Sequence, residues 1–198
     1  MLCGGGSARM GLSKAWLDFD GQPLLQRVVG IVRQVADPVV VSAAPGQKLP
    51  ELAAEVLVVR DTVADAGPLR GLADALMAIK DRCEVVFVCG CDAPFVTPAY
   101  IGRLAELLDE HEAVAPAIDG YRQPLSAVYR VGVVGKIGDL LARGGRSMMG
   151  LLDVIDVRTV QPNELADADP QLQAPRSFNT PEEYRRALED WQWRSNST

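Results

Sequence analysis

The sequence predicts an α/β domain in which a mainly parallel β-sheet lies between two layers of helices. Short β-branched apolar runs alternate, over most of the chain, with segments whose apolar residues recur at helical spacing. The run Val85–Cys89 is continuously apolar, which is typical of a parallel strand covered on both faces. Asp119-Gly120 between two apolar runs is a hairpin signal, so we also expect antiparallel pairing late in the sheet.

The first half of the chain predicts two helices and two strands after a glycine-rich opening. A short extended piece, Trp16–Phe19, ends at the turn signal Asp20-Gly21. Pro23 suits the first position of the next helix, because the N–H that proline lacks has no helical partner there. The elements expected next are a helix over 24–35, strands over 38–42 and 56–59, and a helix over 72–79.

Start signals define the helices of the second half. Thr97 before Pro98 predicts a capped helix start, and Ser147 predicts another. The segment Thr180–Glu183 is a capping box with proline at the first helical position, so it starts the final helix. The other expected elements are strands over 85–89, 113–118, 123–129 and 154–160 and a helix over 133–141.

Length and charge exclude several classes of protein. The chain has 198 residues, and we expect a single domain over residues 1–194 with a frayed tail over 195–198. The net charge of −6 argues against a nucleic-acid partner. No apolar run reaches about 18 residues, which argues against a membrane partner. The sequence shows no signal peptide and its cysteines are expected to be reduced, so we predict a cytoplasmic protein.

Histidine and cysteine are too few for the commonest catalytic and zinc sites. The single histidine, His111, lies among acidic residues at a predicted helix end, which argues against Ser-His-Asp and Cys-His enzymes. Cys89 and Cys91 are one residue apart, with no second pair and no nearby histidine, which is a poor zinc pattern. We therefore predict that they are small buried residues at a strand end.

The opening stretch Cys3–Lys14 predicts a cradle for phosphate groups. The consecutive glycines Gly4–Gly6 lack a Cβ atom, so their backbone N–H groups can surround anionic oxygens. Arg9 and Lys14 add positive charge at the edge of this cradle. The alternative is a disordered glycine-rich terminus, which the absence of a linker repeat disfavours. The stretch matches neither the Walker pattern nor the dinucleotide-binding pattern.

Asp92 follows the apolar strand at the edge of the sheet where open α/β domains bind ligands. It is either a cap for the next helix or a ligand for a divalent cation. Because Pro94 and Thr97 already supply the turn and the cap, we favour Mg²⁺, which takes the rest of its shell from water and phosphates. These parts suit attack on a nucleotide phosphate. A phosphate nucleophile is already anionic and needs no general base.

Asp61 and the segment Gly67–Gly71 follow the second predicted strand. The plain interpretation of this segment is a turn followed by a helix start. The functional interpretation is a base pocket in which Gly67 and Gly71 give a purine edge access to the backbone. A guanine needs an acceptor for its N1–H and N2–H₂ groups, and either backbone groups or Asp61 could serve. The spacing leaves these alternatives open.

Together these segments resemble the molybdenum cofactor guanylyltransferase family. That family has a Rossmann-like nucleotidyltransferase fold, couples GTP to the molybdopterin phosphate and releases pyrophosphate. The resemblance therefore implies GMP transfer to the terminal phosphate of molybdopterin, with GTP and molybdopterin as partners and Mg²⁺ as cofactor. The matching segments are 2–5 with 7–14, 21–24, Asp61, 67–71, 91–94, 124–129 and 178–181.

The same resemblance implies roles for individual residues. Arg9, Lys14 and Asp92 form the expected catalytic set, with Asp92 as the metal ligand. Asn179 and Thr180 would face the pterin. Proteins that deliver or receive the cofactor are further partners that the sequence leaves open. The expected GTP contacts are Leu2, Cys3, Gly4, Gly5, Lys14, Asp61, Gly67, Pro68, Leu69, Gly71 and Asp92.

The sequence departs from the family pattern at several positions. Cys3 stands where alanine is usual, Ser42 where some members have a nucleotide-contacting asparagine, and Ser177 where the first asparagine of the pterin-side pattern is expected. The first strand of the family precedes the glycine loop, and only Met1 and Leu2 correspond to it here. A strand is typically about 5–6 residues long, so we expect the natural start to lie upstream.

Two other functions compete with this hypothesis. One is a related Mg²⁺-dependent nucleotidyltransferase that uses CTP or acts on a sugar or alditol phosphate, against which the Gly-Pro-Leu-x-Gly segment favours guanine. The other is a non-catalytic nucleotide-binding domain, against which the presence of both Lys14 and Asp92 argues.

Overall fold

The computed structural model describes residues 1–4, 13–63 and 66–195 as alternating strands and helices. The strands are β1 Val40–Ala43, β2 Leu57–Arg60, β3 Val85–Cys89, β4 Ala113–Ile118, β5 Tyr121–Arg122, β6 Ser126–Arg130 and β7 Val157–Val160. The helices are α1 Leu24–Val32, α2 Pro68–Ile79, α3 Pro98–Glu106, α4 Val134–Ala142, α5 Met148–Leu152 and α6 Pro181–Ser195. None of these helices is both long enough and apolar enough to cross a membrane.

The first three residues join two groups of strands into one sheet. Strand β1 pairs with β2 in parallel, and β3, β6, β4 and β7 form the second group. Leu2 bridges in parallel to Ser42 on one side and to Gly90 on the other. The amide of Leu2 donates to the Cys89 carbonyl at 2.8 Å, and the amide of Cys3 donates to the Ser42 carbonyl at 2.8 Å. The spatial order is therefore β2, β1, residues 1–3, β3, β6, β4, β7.

The α/β class and the hairpin predicted at Asp119-Gly120 are confirmed, because β4 and β5 pair antiparallel across this turn. The antiparallel pairing extends further into the sheet than the hairpin. Strand β6 returns between β3 and β4 and runs antiparallel to both of them. The parallel strands β3 and β4 are thus separated by one reversed strand.

Helices cover both faces of the sheet, and their buried sides belong mainly to the two larger apolar cores of the described residues. One core contains the buried faces of α1 and α3 together with Phe178 and Ala187. The other contains the buried faces of α2, α4 and α5, with Leu2 and Tyr129. The helices therefore form the two outer layers that the sequence predicts.

The predicted capping signals act as expected, with one change at α1. Thr97 Oγ1 accepts from the Tyr100 amide at 3.1 Å, and the Ser147 hydroxyl accepts from the Met149 amide at 3.1 Å. Helix α1 begins at Leu24, so Pro23 precedes the helix instead of opening it. Helix α6 runs to Ser195, and because residues 196–198 lie outside the described residues, the frayed tail stays a prediction.

An apolar cavity of about 320 Å³ lies between β1 and β3, next to Met1, and we call it the β1–β3 slot. Val86 and Val88 of β3 and Val40 of β1 are among its lining residues. Residues 85–87 are only half-buried, so the expectation that β3 is covered on both faces holds for its last two residues alone. The reason is that this part of β3 pairs with β6 on one side and borders the slot on the other.

The N-terminal ammonium of Met1 is buried beside the slot and donates to the Val40 carbonyl at 2.7 Å. Burial lowers the pKa of this ammonium, because a charged group loses hydration there. This donor occupies the position that a backbone amide would have in a parallel pairing with β1.

Candidate active site

The predicted site segments meet at one edge of the sheet, because the strands that carry them run in parallel. Gly4 follows the first three residues, Asp61 follows β2 and Asp92 follows β3. Lys14 approaches the same edge from a short 3-10 turn, Lys14–Trp16. This is the edge at which open α/β sheets bind ligands. Gly5 and Arg9, which were also expected in the site, lie outside the described residues.

Lys14 is held by three oxygen atoms. Its Nζ donates to Asp92 Oδ2 at 2.6 Å, to Asn179 Oδ1 at 3.0 Å and to the carbonyl oxygen of Phe178. The side chains of Lys14 and Asp92 are 15% and 17% exposed, so the pair is largely removed from water. We call these residues the Lys14 cluster: Lys14, Asp92, Phe178 and Asn179. The cluster brings together Lys14, Asp92 and Asn179, which are three of the predicted site residues and lie far apart along the chain.

Asp92 owes its position to the glycine two residues before it. A Cβ atom at residue 90 would overlap Asp92 Oδ1, so only glycine lets the carboxylate fold back against the backbone there. Among residues 1–4, 13–63 and 66–195, no group of three or more His, Cys, Asp or Glu side chains converges on one point. A metal at Asp92 would therefore take most of its ligands from phosphate and water, as Mg²⁺ commonly does.

Asn179 and Thr180 precede α6, but their side chains have different tasks. Thr180 Oγ1 accepts from the Glu183 amide at 3.1 Å, and the Glu183 carboxylate accepts from the amides of Asn179 and Thr180 at 2.6 and 3.2 Å. The predicted capping box is thus confirmed, and Thr180 is its cap. The side chain of Asn179 instead joins the Lys14 cluster.

Asp61 faces two glycines across a narrow gap. Ser42 Oγ donates to Asp61 Oδ1 at 2.6 Å, so the serine orients the carboxylate. A Cβ atom at Gly4 would lie 3.0 Å from Asp61 Oδ2, and one at Gly71 would lie 2.6 Å from Ser42 Oγ. A side chain at either position would therefore press on the hydrogen-bonded pair of Ser42 and Asp61. Leu2 lies beside the same gap, because its Cδ2 is 3.7 Å from the position that a Cβ atom would take at Gly71.

The segment Gly67–Gly71 forms the turn and helix start of the plain interpretation. Gly67 has φ of 84° and precedes α2, and Pro68 is the first residue of that helix. The Leu69 side chain is fully buried in a core. A base at this segment would therefore meet backbone atoms and glycine, not the leucine side chain.

The backbone groups of Leu2 and Cys3 are largely used by the sheet. Leu2 donates to Cys89 and accepts from the Cys91 amide at 3.2 Å, and Cys3 donates to Ser42. The N–H groups available for a phosphate cradle therefore begin at Gly4. Leu2 itself could meet a nucleotide only through apolar contact.

The cysteines around the site are buried, as the sequence predicts for Cys89 and Cys91. Burial raises the pKa of the Cys89 thiol to about 11. A hydrogen bond between the Cys3 and Cys91 thiols lowers the pKa of Cys3 and raises that of Cys91. These thiols flank Gly4 and Asp92 without forming a metal-binding group with them.

Sequence reasoning missed Gln47 and the carbonyl of Phe178. Gln47 Nε2 donates to the Cys3 carbonyl at 3.1 Å from a loop that has no recognisable motif. A backbone carbonyl carries no residue-type signal, so the contact of Phe178 with Lys14 could not be read from the sequence. Ser42 was noted in the sequence because it departs from the family pattern. Its hydrogen bond to Asp61 is seen only in the structure.

Comparison with known proteins gives one family match. Residues 1–157 match the model of the MobA-like NTP transferase domain. A probable molybdenum cofactor guanylyltransferase from Mycobacterium avium is 38% identical over 164 residues, which cover 81% of this chain and 82% of that protein.

Solved structures share the fold at lower identity. Molybdopterin-guanine dinucleotide biosynthesis protein A from Archaeoglobus fulgidus superposes with a TM-score of 0.76 at 21% identity, covering 96% of both chains. A protein from Mycobacterium tuberculosis, solved in complex with manganese, superposes with a TM-score of 0.68 at 19% identity, covering 95% of this chain and 96% of that one.

Proposed function

Since the chain belongs to the MobA-like NTP transferase domain family, we propose that it transfers GMP from GTP to the terminal phosphate of molybdopterin. The products are the guanine dinucleotide form of the molybdenum cofactor and pyrophosphate. The observation that carries this proposal is the Lys14 cluster, in which a lysine, a carboxylate and Asn179 converge at the carboxyl edge of the sheet. The relative from Mycobacterium avium, named as a probable molybdenum cofactor guanylyltransferase, supports the choice of substrates.

Lys14 supplies the positive charge that the reaction needs at the α-phosphate of GTP. The pterin phosphate attacks this phosphorus, the bond to the β-phosphate oxygen breaks, and pyrophosphate leaves with the electron pair. The negative charge that develops on the phosphate oxygens is stabilised by a fixed cation in a site with little water. Arg9 is proposed to assist from the glycine-rich segment, whose N–H groups would hold the β- and γ-phosphates.

The attacking phosphate is already an anion, so no residue has to remove a proton. This agrees with the position of His111, the only histidine of the sequence. Its Nδ1 lies 3.0 Å from Asp156 Oδ2, just before β4 and therefore at the opposite edge of the sheet from Asp92. Catalysis would rest on alignment of the two phosphates and on charge neutralisation.

Asp92 is the residue proposed to hold a divalent cation, and Mg²⁺ is the proposed ion. The site fits such an ion, because Asp92 offers hard oxygen ligands and Gly90 leaves its carboxylate room at the backbone. When bound, the ion would neutralise phosphate charge. The manganese complex of the Mycobacterium tuberculosis neighbour supports a divalent ion in this fold, without selecting among ions.

Asp61 is proposed to bind the guanine, together with backbone groups of Gly67–Gly71. A carboxylate is an acceptor only, and guanine presents two donors on one edge, N1–H and N2–H₂. The Ser42 hydroxyl uses one lone pair of Asp61 Oδ1, and Asp61 Oδ2 is directed towards Gly4. Cytosine presents a single exocyclic donor to such a carboxylate, so the arrangement favours GTP over CTP.

The pterin substrate is proposed to enter from the side of Asn179 and Thr180. Asn179 contacts Lys14, so a phosphate next to this segment would lie close to the reacting centre. The test is incubation with GTP, Mg²⁺ and molybdopterin carrying molybdenum, followed by detection of pyrophosphate and of the guanine dinucleotide. Formation of a cytosine dinucleotide from CTP at a higher rate, or transfer only to a sugar or alditol phosphate, would overturn the proposal.

A further inference from the structure

All three N–H donors of the Lys14 ammonium are directed at protein oxygens, which belong to Asp92, Phe178 and Asn179. A phosphate can therefore bind this ammonium only by replacing one of the three acceptors. Asp92 carries a negative charge and would repel the phosphate, whereas the Phe178 carbonyl and the Asn179 amide are neutral. The two neutral acceptors are thus the ones that can keep the ammonium in place when a substrate joins it.

Phe178 is held in turn by Tyr184, which lies in the first turn of α6. The two rings pack with their centroids 5.3 Å apart, and the Phe178 side chain is fully buried. The Lys14 ammonium lies 5.8 Å from the centroid of the same Phe178 ring. Since the ring and the carbonyl belong to one residue, the packing of Tyr184 against Phe178 helps to set where the carbonyl meets the ammonium.

The hydroxyl of Tyr184 reaches the chain that carries the lysine. It donates to the Asp18 carbonyl, four positions after Lys14. The Leu17 amide donates to the Lys14 carbonyl at 3.2 Å, so a short turn joins Asp18 to Lys14. Burial raises the pKa of the Tyr184 hydroxyl, which therefore keeps its proton at neutral pH. One side chain thus holds both the segment of the lysine and the residue that accepts from it.

Packing and helix capping do not explain this hydroxyl. Tyr184 is only half-buried, and a phenylalanine ring would make the same contact with Phe178. Helix α6 already begins at a capping box formed by Thr180 and Glu183. What the hydroxyl adds is a fixed distance between Asp18 and Phe178.

We propose that Tyr184 is a positioning residue for Lys14, because it fastens the segment that carries the lysine to the residue whose carbonyl holds its ammonium. The inference rests on the proposed function of Lys14 at the reacting phosphate. Tyr184 acts through Lys14 and not by contact with the substrates. A less firmly held lysine still attracts the triphosphate by its charge, but it is less well placed to stabilise the charge that develops during transfer. The effect should therefore appear in kcat and not in KM.

The kinetic test uses Tyr184→Phe, which removes the hydroxyl and keeps the ring. We expect kcat to fall about tenfold, with the KM and the dissociation constant for GTP within about twofold of the wild-type values. In a Lys14→Ala background the same substitution should change kcat by less than about twofold, because the residue through which Tyr184 acts is gone. A loss of stability alone would instead lower kcat by the same factor in both backgrounds.

Hydrogen exchange of the Lys14 ammonium reports the position of the lysine without any reaction. In the NMR spectrum of the isotope-labelled protein, the ammonium signal of Lys14 is identified by its loss in Lys14→Ala. We expect these protons to exchange with water about threefold faster or more in Tyr184→Phe, because the Phe178 carbonyl no longer holds the ammonium as firmly.

Tyr129→Phe is the matched control. Tyr129 also donates from its hydroxyl to a backbone carbonyl, that of Pro124 at 2.8 Å, but it lies in β6 and in the apolar core on the other face of the sheet. We expect this variant to lose stability while its kcat and its Lys14 ammonium exchange stay within about twofold of the wild-type values.

Unchanged ammonium exchange in Tyr184→Phe would overturn the inference. An unchanged kcat in this variant would do the same, as would a further tenfold loss in the Lys14→Ala background. The exchange measurement needs neither GTP nor molybdopterin. A wild-type protein that makes no guanine dinucleotide would therefore refute the proposed function, while exchange in Tyr184→Phe would still decide whether Tyr184 positions Lys14.

Discussion

Lys14 Nζ donates to Asp92 Oδ2 across 2.6 Å, so the cation proposed for the phosphates and the anion proposed for the metal neutralise each other. A phosphate oxygen and a divalent cation together can replace both partners, whereas either one alone leaves a largely buried charge without its counter-ion. Nucleotide and metal should therefore strengthen each other's binding by the same factor. The ion pair of Lys14 and Asp92 would thus couple the binding of the two proposed ligands.

Lys14→Ala should lower turnover and, in the absence of nucleotide, bind the metal more tightly. Turnover should fall about 100-fold or more, because a fixed charge at the reacting phosphate is lost. The affinity for Mn²⁺ should rise about three- to tenfold, since Asp92 no longer faces an ammonium group. Mn²⁺ titration monitored by electron paramagnetic resonance measures this, with the exposed Lys80→Ala as control. Weaker Mn²⁺ binding in Lys14→Ala would contradict the proposal that Lys14 and the metal compete for Asp92.

Asp92→Asn should abolish the metal dependence of the reaction while preserving the fold. The amide keeps the shape of the carboxylate but removes the negative charge that the cation needs. We expect no saturable Mn²⁺ binding at the site and a turnover at least about 100-fold lower. Asp81→Asn, an exposed substitution at the end of α2, should leave both quantities unchanged. Guanylyl transfer at the normal rate in Asp92→Asn would rule out the metal role.

Gly71→Ala should weaken GTP binding about tenfold or more. The new Cβ atom would lie 2.6 Å from Ser42 Oγ, so Ser42 has to move and Asp61 loses its orienting hydrogen bond. Overpacking of this kind typically costs about 1–3 kcal/mol of stability.

Gly102→Ala is the control for Gly71→Ala, because Gly102 lies inside α3 with nothing within 4 Å of the Cβ position. This variant should gain about 0.4–1 kcal/mol of stability and keep its GTP affinity. Titration with GTP and thermal unfolding measure both effects. If the two alanine variants bound GTP equally well, Asp61 would not be part of the base pocket.

Extension of the chain at Met1 should raise the melting temperature by filling the β1–β3 slot. Five β-branched apolar residues added before Met1 can continue the parallel pairing between β1 and β3 and bury apolar surface in the cavity of about 320 Å³. Five Gly and Ser residues serve as the matched control, because they remove the buried ammonium but offer almost no apolar surface. Equal melting temperatures of the two extended proteins would show that the slot does not accept a strand.

The pH dependence of stability tests the buried ammonium separately. Its pKa is lowered in the folded chain, so below its ordinary value of about 8 the unfolded chain binds this proton more tightly. Stability should therefore increase as the pH rises from the lowered pKa to about 8 and level off above it, as far as this group is concerned. Both extended proteins should lose this contribution. Denaturant unfolding at pH 6, 7 and 8 measures it, and identical pH profiles of all three proteins would refute it.

Local signals account for the features that the sequence predicted correctly. The caps at Thr97, Ser147 and Thr180 depend on residues no more than three positions away. The convergence of Asp61 and Asp92 follows from parallel strands whose carboxyl ends share an edge. The helices, the hairpin and this edge of the site were therefore predictable.

Non-local contacts explain what the sequence could not predict. The insertion of β6 between β3 and β4 is a choice among strand partners of similar composition, and no residue in β6 specifies it. Gln47 reaches the site through a side-chain contact over 44 positions of the chain, and the hydrogen bond from Lys14 to the expected site residue Asn179 spans 165 positions. Such contacts become visible only when the tertiary structure places the segments together.

Leu2 also orders the assembly of the sheet in time. Its neighbours Ser42 and Gly90 are made after it, and Cys91 completes its backbone pairing. During synthesis, which proceeds at about 5–20 residues per second, residues 1–3 cannot complete their backbone pairing until β3 has been made. Residues 1–3 are made before both of their neighbouring strands and thus enter the sheet late, and until then the Asp92 edge lacks its final geometry.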